Sequence, residues 1–375
     1  MPSEPRRRGF PGGFGEGRTE RAAVLVLSSI PGIRPLSIHD LAWREGTASA
    51  CLARLREGTF GTAADRAAAL QRDPAAIEEA LTAAGARLIL PGEPEYPEAL
   101  LDLDDPPLIL FARGRRIDRG LLRVAVVGSR SASTLGKEVA TSIGRGLASA
   151  GVCVVSGAAR GIDAASHRGA LAAGSTIAVM GSGIDVAYPA SSRGLIERIA
   201  HEGTVVSEYP PGVPPRPHLF PARNRIVVGL SRALVVVEGA RASGSMISVA
   251  HALSIGRDVF AVPGPVASPL SEAPLTLIRE GARMIRDAED LLEDLGIEAT
   301  SRAESSVVLL PEADRLVLDA LPGPSLPEVV AERAGIGMTE AVASLMRLEL
   351  RGLVRSLGGR FEPTLASRGR AKAPP

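Results

Sequence analysis

Glycine, serine and arginine recur together in short segments of this sequence, directly after runs of apolar residues. Residues 128–133 read Gly-Ser-Arg-Ser-Ala-Ser, and residues 156–161 read Ser-Gly-Ala-Ala-Arg-Gly. Glycine lets a backbone N–H group approach an anion, and the start of a following helix directs its positive end at the same point. Arginine adds a charge-assisted fork. Each segment predicts either a phosphate-binding loop or a simple capped turn between a strand and a helix.

Two further segments have the same character. Residues 220–225 read Phe-Pro-Ala-Arg-Asn-Arg, and residues 243–245 read Ser-Gly-Ser before a helical pattern. Arg223 and Arg225 lie in an otherwise apolar stretch, so each needs an anionic partner. That partner is either a phosphate or a carboxylate of the chain, for example Glu208 or Glu238.

Taken together, these loops predict one extended anion-binding rim. Residues 121–286 contain 17 Arg and Lys against 10 Asp and Glu, a local excess that suits a nucleic-acid backbone. Single strands are also bound by stacking on aromatic rings, and the candidates here are Tyr188, Tyr209 and Phe220. The residues predicted to bind such a polyanion are Gly128, Ser129, Arg130, Ser133, Ser156, Gly157, Arg160, Gly161, Arg223, Asn224, Arg225, Ser243, Gly244 and Ser245.

The sequence offers little that predicts catalysis. Asp163 and His167 are four residues apart and share a helix face, but no nucleophile or metal cluster accompanies them, so capping and packing are the expected roles. The two cysteines, Cys51 and Cys153, have no metal-ligand spacing and are expected to be buried. We predict no catalytic residue, no metal and no cofactor.

Six apolar segments alternate with helical patterns through the middle of the chain. The predicted strands are 124–127, 152–155, 177–180, 204–207, 233–237 and 258–262, and the helices between them are 136–149, 163–173, 191–201, 221–229 and 245–255. Continuous apolar strands separated by helices are typical of a buried parallel sheet with helices on both faces. Ligands bind outside the carboxyl ends of such strands, where the loops described above lie.

Other nucleotide-binding motifs are missing. A dinucleotide site needs Gly-x-Gly-x-x-Gly at the first turn between strand and helix and an acidic residue about 20 residues later. Residues 128–133 have only the first glycine, and the second strand ends in Val155-Ser156. No Walker loop is present. No apolar run approaches the roughly 18 residues of a membrane helix. Cysteines that suit neither a disulfide nor a metal site, together with the missing signal peptide, predict a protein of the reducing cytoplasm.

The chain resembles the DNA-processing protein A family (DprA, also called Smf) over about residues 95–290. The residues that carry the resemblance follow one another in family order: Val127-Gly-Ser-Arg130, Ser156-Gly-Ala-Ala-Arg-Gly-Ile-Asp163, Gly183-Ile-Asp185, Tyr188-Pro189, Ser207-Glu-Tyr-Pro210, Phe220-Pro-Ala-Arg-Asn-Arg225, Ser243-Gly-Ser245 and Val262-Pro-Gly264. The resemblance implies an α/β fold with a Rossmann-like parallel sheet, an N-terminal helical domain similar to a sterile alpha motif, and a C-terminal winged helix. The expected organisation is a disordered tail (1–19), the helical domain (20–85), the Rossmann-like DNA-binding domain (86–290), a linker (291–310), the winged helix (311–362) and a second disordered tail (363–375).

The resemblance also implies a function. Such a protein binds single-stranded DNA as a homodimer, protects incoming strands during natural transformation and helps to load the RecA recombinase, with no catalytic activity. The main alternative is an enzyme, a phosphoribohydrolase-like nucleotide-phosphate hydrolase on a related sheet. Those enzymes carry Pro-Gly-Gly-x-Gly-Thr near the fifth loop, where this chain has a different sequence, residues 238–245. A third interpretation is a duplex-DNA regulator that acts through the winged helix.

Overall fold

The computed structural model describes residues 9–297 and 310–364. The chain divides into two compact units, Met1–Ala299 and Thr300–Pro375. Each unit is described separately below. Among the helices of the described residues, none is long and apolar enough to cross a membrane.

Five helices lie at the beginning of the first unit, where the family resemblance implies a helical domain. Pro74 occupies the first turn of the fifth helix, behind the capping Asp73. The apolar faces of these helices share a core with one face of the sheet that follows. The helices are α1 (Gly17–Ser28), α2 (Pro35–Glu45), α3 (Ala48–Glu57), α4 (Ala63–Gln71) and α5 (Pro74–Ala83).

The prediction of a disordered tail through residue 19 is wrong for its second half. Phe14 is buried, and its ring stacks on that of Phe10 at 4.9 Å between centroids. The Trp43 side chain donates a hydrogen bond to the carbonyl of Gly9. Two phenylalanines among glycines and arginines give no periodic pattern, so the sequence hides their packing onto the helices. Residues 1–8 of the predicted tail lie outside the described residues.

The described part of the first unit also contains a nine-stranded sheet in the order β1-β2-β6-β5-β4-β3-β7-β8-β9. The strands are β1 (Ala86–Ile89), β2 (Leu110–Gly114), β3 (Arg123–Val127), β4 (Cys153–Ser156), β5 (Thr176–Met180), β6 (Thr204–Ser207), β7 (Ala233–Val236), β8 (Asp258–Ala261) and β9 (Arg283–Met284). From β6 to β9 all neighbours are parallel, whereas β1 and β2 join antiparallel at one edge. The parallel Rossmann-like sheet is therefore confirmed, and the six predicted strands lie within one residue of their expected bounds.

Seven helices of the same unit follow or connect the strands: α6 (Thr134–Ser149), α7 (Ile162–Leu171), α8 (Arg193–Glu202), α9 (Leu219–Gly229), α10 (Gly244–Ser254), α11 (Glu272–Arg279) and α12 (Ala288–Asp294). The last of them corrects a prediction. Residues 291–297 were expected to be linker, but Leu291 and Leu292 are buried beside α6. The linker prediction failed because Glu289, Asp290, Glu293 and Asp294 give this amphipathic helix a polar average composition.

Chain order reverses direction between β3 and β7, which are neighbours in the sheet but far apart in the sequence. From β3 the chain first adds β4, β5 and β6 on one side and later adds β7, β8 and β9 on the other. At such a switch point the loops after the two central strands turn apart and leave a crevice, the usual ligand position in this kind of sheet. The loops of residues 128–133 and 237–243 therefore border the expected site.

The described residues of the second unit form three helices and a hairpin: α13 (Glu312–Asp319), α14 (Pro327–Ala334), α15 (Met338–Leu350), β10 (Val354–Leu357) and β11 (Arg360–Pro363). Their apolar faces form a small core of their own. The buried Asp314 carboxylate accepts hydrogen bonds from Nε and Nη2 of Arg347 through its Oδ1 atom. The predicted tail from 365 onwards, and residues 298–309 of the predicted linker, lie outside the described residues.

Candidate nucleic-acid interface

Backbone hydrogen bonds join the loops at the carboxyl edge of the sheet. The N–H of Ser129 donates to the carbonyl of Glu238 at 2.7 Å, across the switch point between β3 and β7. The carbonyl of Ser129 accepts from Ile162, at the start of α7, at 3.2 Å. Three of the predicted loops, those after β3, β4 and β7, thus form one connected surface.

Beside these loops lies a row of three side chains that reach the surface, Arg130, Phe220 and Tyr188. Arg130 projects into solvent, and its guanidinium carbon lies 5.4 Å from the centroid of the Phe220 ring. The Phe220 ring lies 5.2 Å from that of Tyr188, which is 43% exposed. Phe220 is held from behind by Gly181, where any larger side chain would overlap the ring. The row offers a cation and two aromatic faces, the combination on which unpaired bases stack.

The loop after β4 depends on a glycine at its end. Gly161 has φ +79° and ψ −126°, and a Cβ there would overlap the carbonyl of Ser129. Glycine alone tolerates both conditions. The tight approach positions the neighbouring Arg160, which is exposed, beside the loop that carries Arg130.

We expect Gly161→Ala to separate these two loops. The strained backbone and the overlap with Ser129 should lower the free energy of unfolding by about 1–3 kcal/mol, as measured by urea denaturation. Gly194→Ala is the matched control, because its Cβ would enter open space. Equal stability of the two variants would show that the contact between the loops is not needed.

Arg223 does not reach solvent as a phosphate ligand would. Only 3% of the residue is exposed. Its guanidinium donates to the backbone carbonyls of Gly157 and Val179. Burial lowers the pKa of Arg223 to about 10, although the nearby Asp163 carboxylate acts in the opposite direction. Arg223 therefore fastens the ends of β4 and β5 together beneath the rim and adds positive charge from below.

Arg225 pairs with carboxylates of the chain, which is the second of the two alternatives that the sequence left open. It is buried, donates to Glu208 at 2.7 Å and lies 3.4 Å from Asp105. Burial by itself would lower the pKa of Arg225, but the Glu208 and Asp105 charges outweigh it and raise the pKa overall. The direct phosphate contact predicted for Arg225 is not available in this arrangement, because its guanidinium faces the interior.

Asp163 and His167 are buried behind the same rim. Thr176 donates its single hydroxyl proton to the carbonyl of Val154, so it must accept from Nδ1 of His167 at 2.7 Å. Nδ1 is therefore protonated and Nε2 is not. Burial, aided by the positive charge of Arg223, lowers the pKa of His167 to about 3. Both side chains are thus enclosed inside the protein.

Glu238 occupies the N-terminus of α6, where a phosphate was expected. Its carboxylate accepts from the backbone N–H of Ser133 at 2.9 Å and from the Ser133 hydroxyl at 2.6 Å. A Cβ at Gly136 would overlap that carboxylate. The Ser133 donors predicted to bind DNA are thus already used, because the helix start that attracts phosphate attracts a carboxylate equally well.

The position of Ser156 also differs from the prediction that it binds DNA. It is fully buried, and its hydroxyl donates to the carbonyl of Val126 at 2.7 Å. This bond crosses from β4 to β3 and stabilises the sheet, so the hydroxyl cannot also contact DNA. A serine at the last residue of a strand looks the same in the sequence whether it points inward or outward.

The start of α10 lies beside the end of the rim. The amide of Asn224 donates to the carbonyl of Gly244 at 3.3 Å, which joins α9 to α10. The hydroxyls of Ser243 and Ser245 are hydrogen-bonded to each other. Ser243 is the N-cap residue of α10, and its side chain makes no hydrogen bond to the backbone of the helix.

The structure thus sorts the fourteen predicted residues into three groups. Those at the surface of the rim are Ser129, Arg130, Arg160, Asn224, Ser243 and Gly244. Those that shape it by close backbone approach are Gly128, Gly157 and Gly161, and those whose side chains are engaged inside the protein are Ser133, Ser156, Arg223, Arg225 and Ser245. Sequence reasoning missed the cap by Glu238. Within the described residues, no group of three or more His, Cys, Asp or Glu side chains could hold a metal ion.

Comparison with known proteins identifies relatives over most of the chain. The protein-family model described as DNA recombination-mediator protein A matches residues 87–296. The putative DNA processing protein DprA of Mycobacterium tuberculosis (strain ATCC 25618 / H37Rv) is 38% identical over 344 residues, which cover 85% of this chain and 88% of the relative.

Two solved structures are similar as well. The X-ray structure of DNA processing protein A from Streptococcus pneumoniae has a TM-score of 0.64 and 33% identity, and the match covers 74% of this chain and 97% of that one. A structure of DNA processing protein A from Helicobacter pylori, described as giving insight into its single-stranded DNA binding mode, has a TM-score of 0.51 and 29% identity. That match covers 56% of this chain and 95% of the other.

Proposed function

The chain belongs to the DNA recombination-mediator protein A family, and from this premise we propose that it binds single-stranded DNA along the rim at the carboxyl edge of its sheet. The observation that carries the proposal is the exposed row of Arg130, Phe220 and Tyr188. Bases need flat apolar faces, and phosphates need cations that still point outward. The row supplies a cation and aromatic faces side by side, because the Phe220 ring lies next to both Arg130 and Tyr188.

The proposed path of the strand follows the surface groups. Arg130 and Arg160 pair with phosphates from the two loops joined at Gly161, and Phe220 and Tyr188 stack on bases. The start of α10, with Ser243 and Gly244, accepts a further phosphate. Arg223 and Arg225 position these groups from the interior rather than touching the DNA.

A titration of the full chain with labelled oligonucleotides tests this proposal. Arg130→Ala should weaken binding to single strands of any sequence about tenfold and reduce the slope of log affinity against log salt by about 0.7. Phe220→Ala should weaken binding by about 1–3 kcal/mol with little change in that slope, because it removes stacking rather than charge. Fluorescence anisotropy over a range of salt concentrations measures both quantities.

Arg198→Ala provides the control for this titration. Arg198 is an exposed arginine on α8 that pairs with Glu202, so its loss changes the net charge equally without touching the rim. Normal affinity in both rim variants would refute the proposal. Duplex binding as tight as single-strand binding would refute the preference for single strands.

We also propose the wider role that the family resemblance implies. The protein would protect single strands entering during natural transformation, act as a homodimer, help to load RecA and work in the cytoplasm without catalysing a reaction. The five N-terminal helices support a domain similar to a sterile alpha motif. The three helices and hairpin of residues 311–362 support a winged helix.

The second unit does not favour the duplex-reading alternative. In a winged helix the third helix enters the major groove and needs exposed basic residues. The single basic residue within α15 is Arg347, and it is held by the buried Asp314. This helix therefore offers DNA phosphates no lysine or arginine that lacks a carboxylate partner.

A further inference from the structure

The loop that follows β8 is exposed and carries no charge. The sequence has no charged residue between Asp258 and Glu272, and five apolar residues of this segment are exposed: Pro263, Pro265, Val266, Ala267 and Pro269. Val266 is 90% exposed, more than any other large apolar side chain in the described part of the first unit. Single apolar residues at a surface are ordinary, but several of them in one loop mark a binding surface. We call residues 263–269 the β8 loop.

The backbone of the β8 loop holds Val266 outward. Prolines fix the φ angle at three of its seven positions. The N–H of Ser268 donates to the carbonyl of Pro265 at 2.9 Å and closes a turn that has Val266 at its tip. At the base of the loop, a Cβ on Gly264 would overlap the hydroxyl of the buried Ser271. A loop with so few free torsions loses little entropy when it binds a ligand.

Hydrogen bonds join the β8 loop to the rim. The N–H of Gly239 donates to the carbonyl of Leu270 at 2.7 Å, and the N–H of Ala273 donates to the carbonyl of Gly239 at 2.9 Å. Gly239 belongs to the loop after β7, which leads to Ser243 at the start of α10. Because β8 is a parallel neighbour of β7, the carboxyl ends of both strands lie at one edge of the sheet. The β8 loop therefore continues the rim by one strand.

The chemistry of the β8 loop suits bases rather than phosphates. The loop has no cation, and the carboxylate of Glu272 beside it accepts a hydrogen bond from the backbone N–H of Arg241 at 3.4 Å. A negative charge at this place repels phosphates. Apolar side chains such as isoleucine and proline insert between neighbouring bases in other DNA complexes, and valine has the same branched Cβ as isoleucine.

The β8 loop lies within reach of a strand that is bound by the row. Phe220 packs on Gly181, which follows β5, and four strand spacings separate β5 from β8 in the sheet. Those spacings amount to about 19 Å. A stacked strand of about six nucleotides, at about 3.4 Å each, covers this distance. One strand can therefore contact the aromatic rings at one end of the rim and the β8 loop at the other.

We propose that the β8 loop is a second base-binding platform, at which Val266 packs against the bases of a strand already held by Arg130. This inference rests on the proposed function and extends its path beyond the start of α10. Only unpaired bases leave their faces open to such a side chain. The β8 loop thus adds to the preference for single strands.

A titration of the full chain with single-stranded oligonucleotides of about 15 nucleotides, a length within the range of such sites, tests the contact. Val266→Ser should weaken binding about fivefold and leave the slope of log affinity against log salt unchanged, because it removes an apolar contact and no charge. Leu70→Ser is the matched control, since Leu70 is 60% exposed on α4 of the same unit and is not part of the rim. Circular dichroism checks that both variants are folded.

Fluorescence gives a direct measure of base contact at the loop tip. The chain has one tryptophan, Trp43, so subtraction of the wild-type spectrum isolates the emission of the tryptophan added by Val266→Trp. A single strand should quench this emission by stacking, and the same strand annealed to its complement should quench it much less. Leu70→Trp is the control and should keep its emission with either ligand.

Two results would overturn the inference and leave the proposed function standing. One is normal affinity of the Val266→Ser chain in a titration in which Arg130→Ala weakens binding. The other is equal quenching of the Val266→Trp and Leu70→Trp chains by a strand that both bind. Either result would place the β8 loop off the path of the strand and leave it as a surface for a protein. Normal binding by both Arg130→Ala and Phe220→Ala would overturn the proposed function itself, and this inference with it.

Discussion

Replacing Arg225 by methionine is expected to lower the free energy of unfolding by about 3–5 kcal/mol, because removing one partner of a buried ion pair leaves the other charge without compensation. Glu208 is 8% exposed and would lose its 2.7 Å hydrogen bond. Asp105 would lose its nearest cation as well. Urea denaturation followed by circular dichroism measures the loss.

Two further variants separate this explanation from simple loss of packing. Adding Glu208→Gln to Arg225→Met should recover more than half of the lost stability, since a neutral amide costs less to bury than a carboxylate. Arg198→Met removes an exposed arginine from its pair with Glu202 and should leave stability unchanged, because exposed pairs contribute little. If the double variant is no more stable than Arg225→Met, the stranded charge of Glu208 is not the cause.

Arg223 and Arg225 show where sequence reasoning ends. Both were expected near the rim, and the helix that carries them was predicted to within two residues. Which anion each arginine meets depends on segments far away in the chain, such as Asp105 and the end of β4. The spacing of residues within 220–225 does not indicate those contacts. From the sequence alone, a phosphate and a carboxylate were therefore equal alternatives as the partner of each arginine.

The parallel strands were predictable because each is buried on both faces and therefore reads as a continuous apolar run, as in residues 124–127. The edge strand β1 has a mixed sequence, Ala-Arg-Leu-Ile, and pairs antiparallel with β2 across a long loop. Its local pattern carries too little signal. The cap of α6 by Glu238 was hidden for a related reason, because only the order of strands at the switch point brings Glu238 next to Ser133.

The position of the rim was predictable from a rule about sheets rather than from any single motif. Carboxyl ends of parallel strands share one edge, so loops after β3, β4 and β7 had to meet. The stacking of Arg130 on Phe220 was not predictable, although both residues were singled out. Their contact follows from the close approach of Phe220 to Gly181, which fixes the ring where Arg130 can reach it.

His167 is expected to make the stability of the first unit fall as the pH is lowered below about 6.5. Its pKa is about 3 in the folded protein and about 6.5 in the unfolded chain. Because the folded pKa is the lower one, the unfolded state binds the proton first, and stability is lost as the pH falls between these two values. At about 1.4 kcal/mol for each pH unit, the loss from this group is about 2 kcal/mol between pH 6.5 and pH 5.

His167→Asn isolates this contribution. The asparagine amide can still donate to Thr176 in place of Nδ1–H, but it does not titrate. Between pH 6.5 and pH 5 the free energy of unfolding of the variant should therefore fall less steeply with pH, by the equivalent of about one bound proton. Urea denaturation at several pH values gives both slopes, and only their difference matters, since the smaller side chain lowers stability at every pH. Parallel curves for the two proteins would mean that the imidazole is already accessible to protons in the folded state. The buried cluster beneath the rim, Asp163, His167 and Arg223, would then open readily to solvent, and the rim above it would lack the rigid support that its contacts imply.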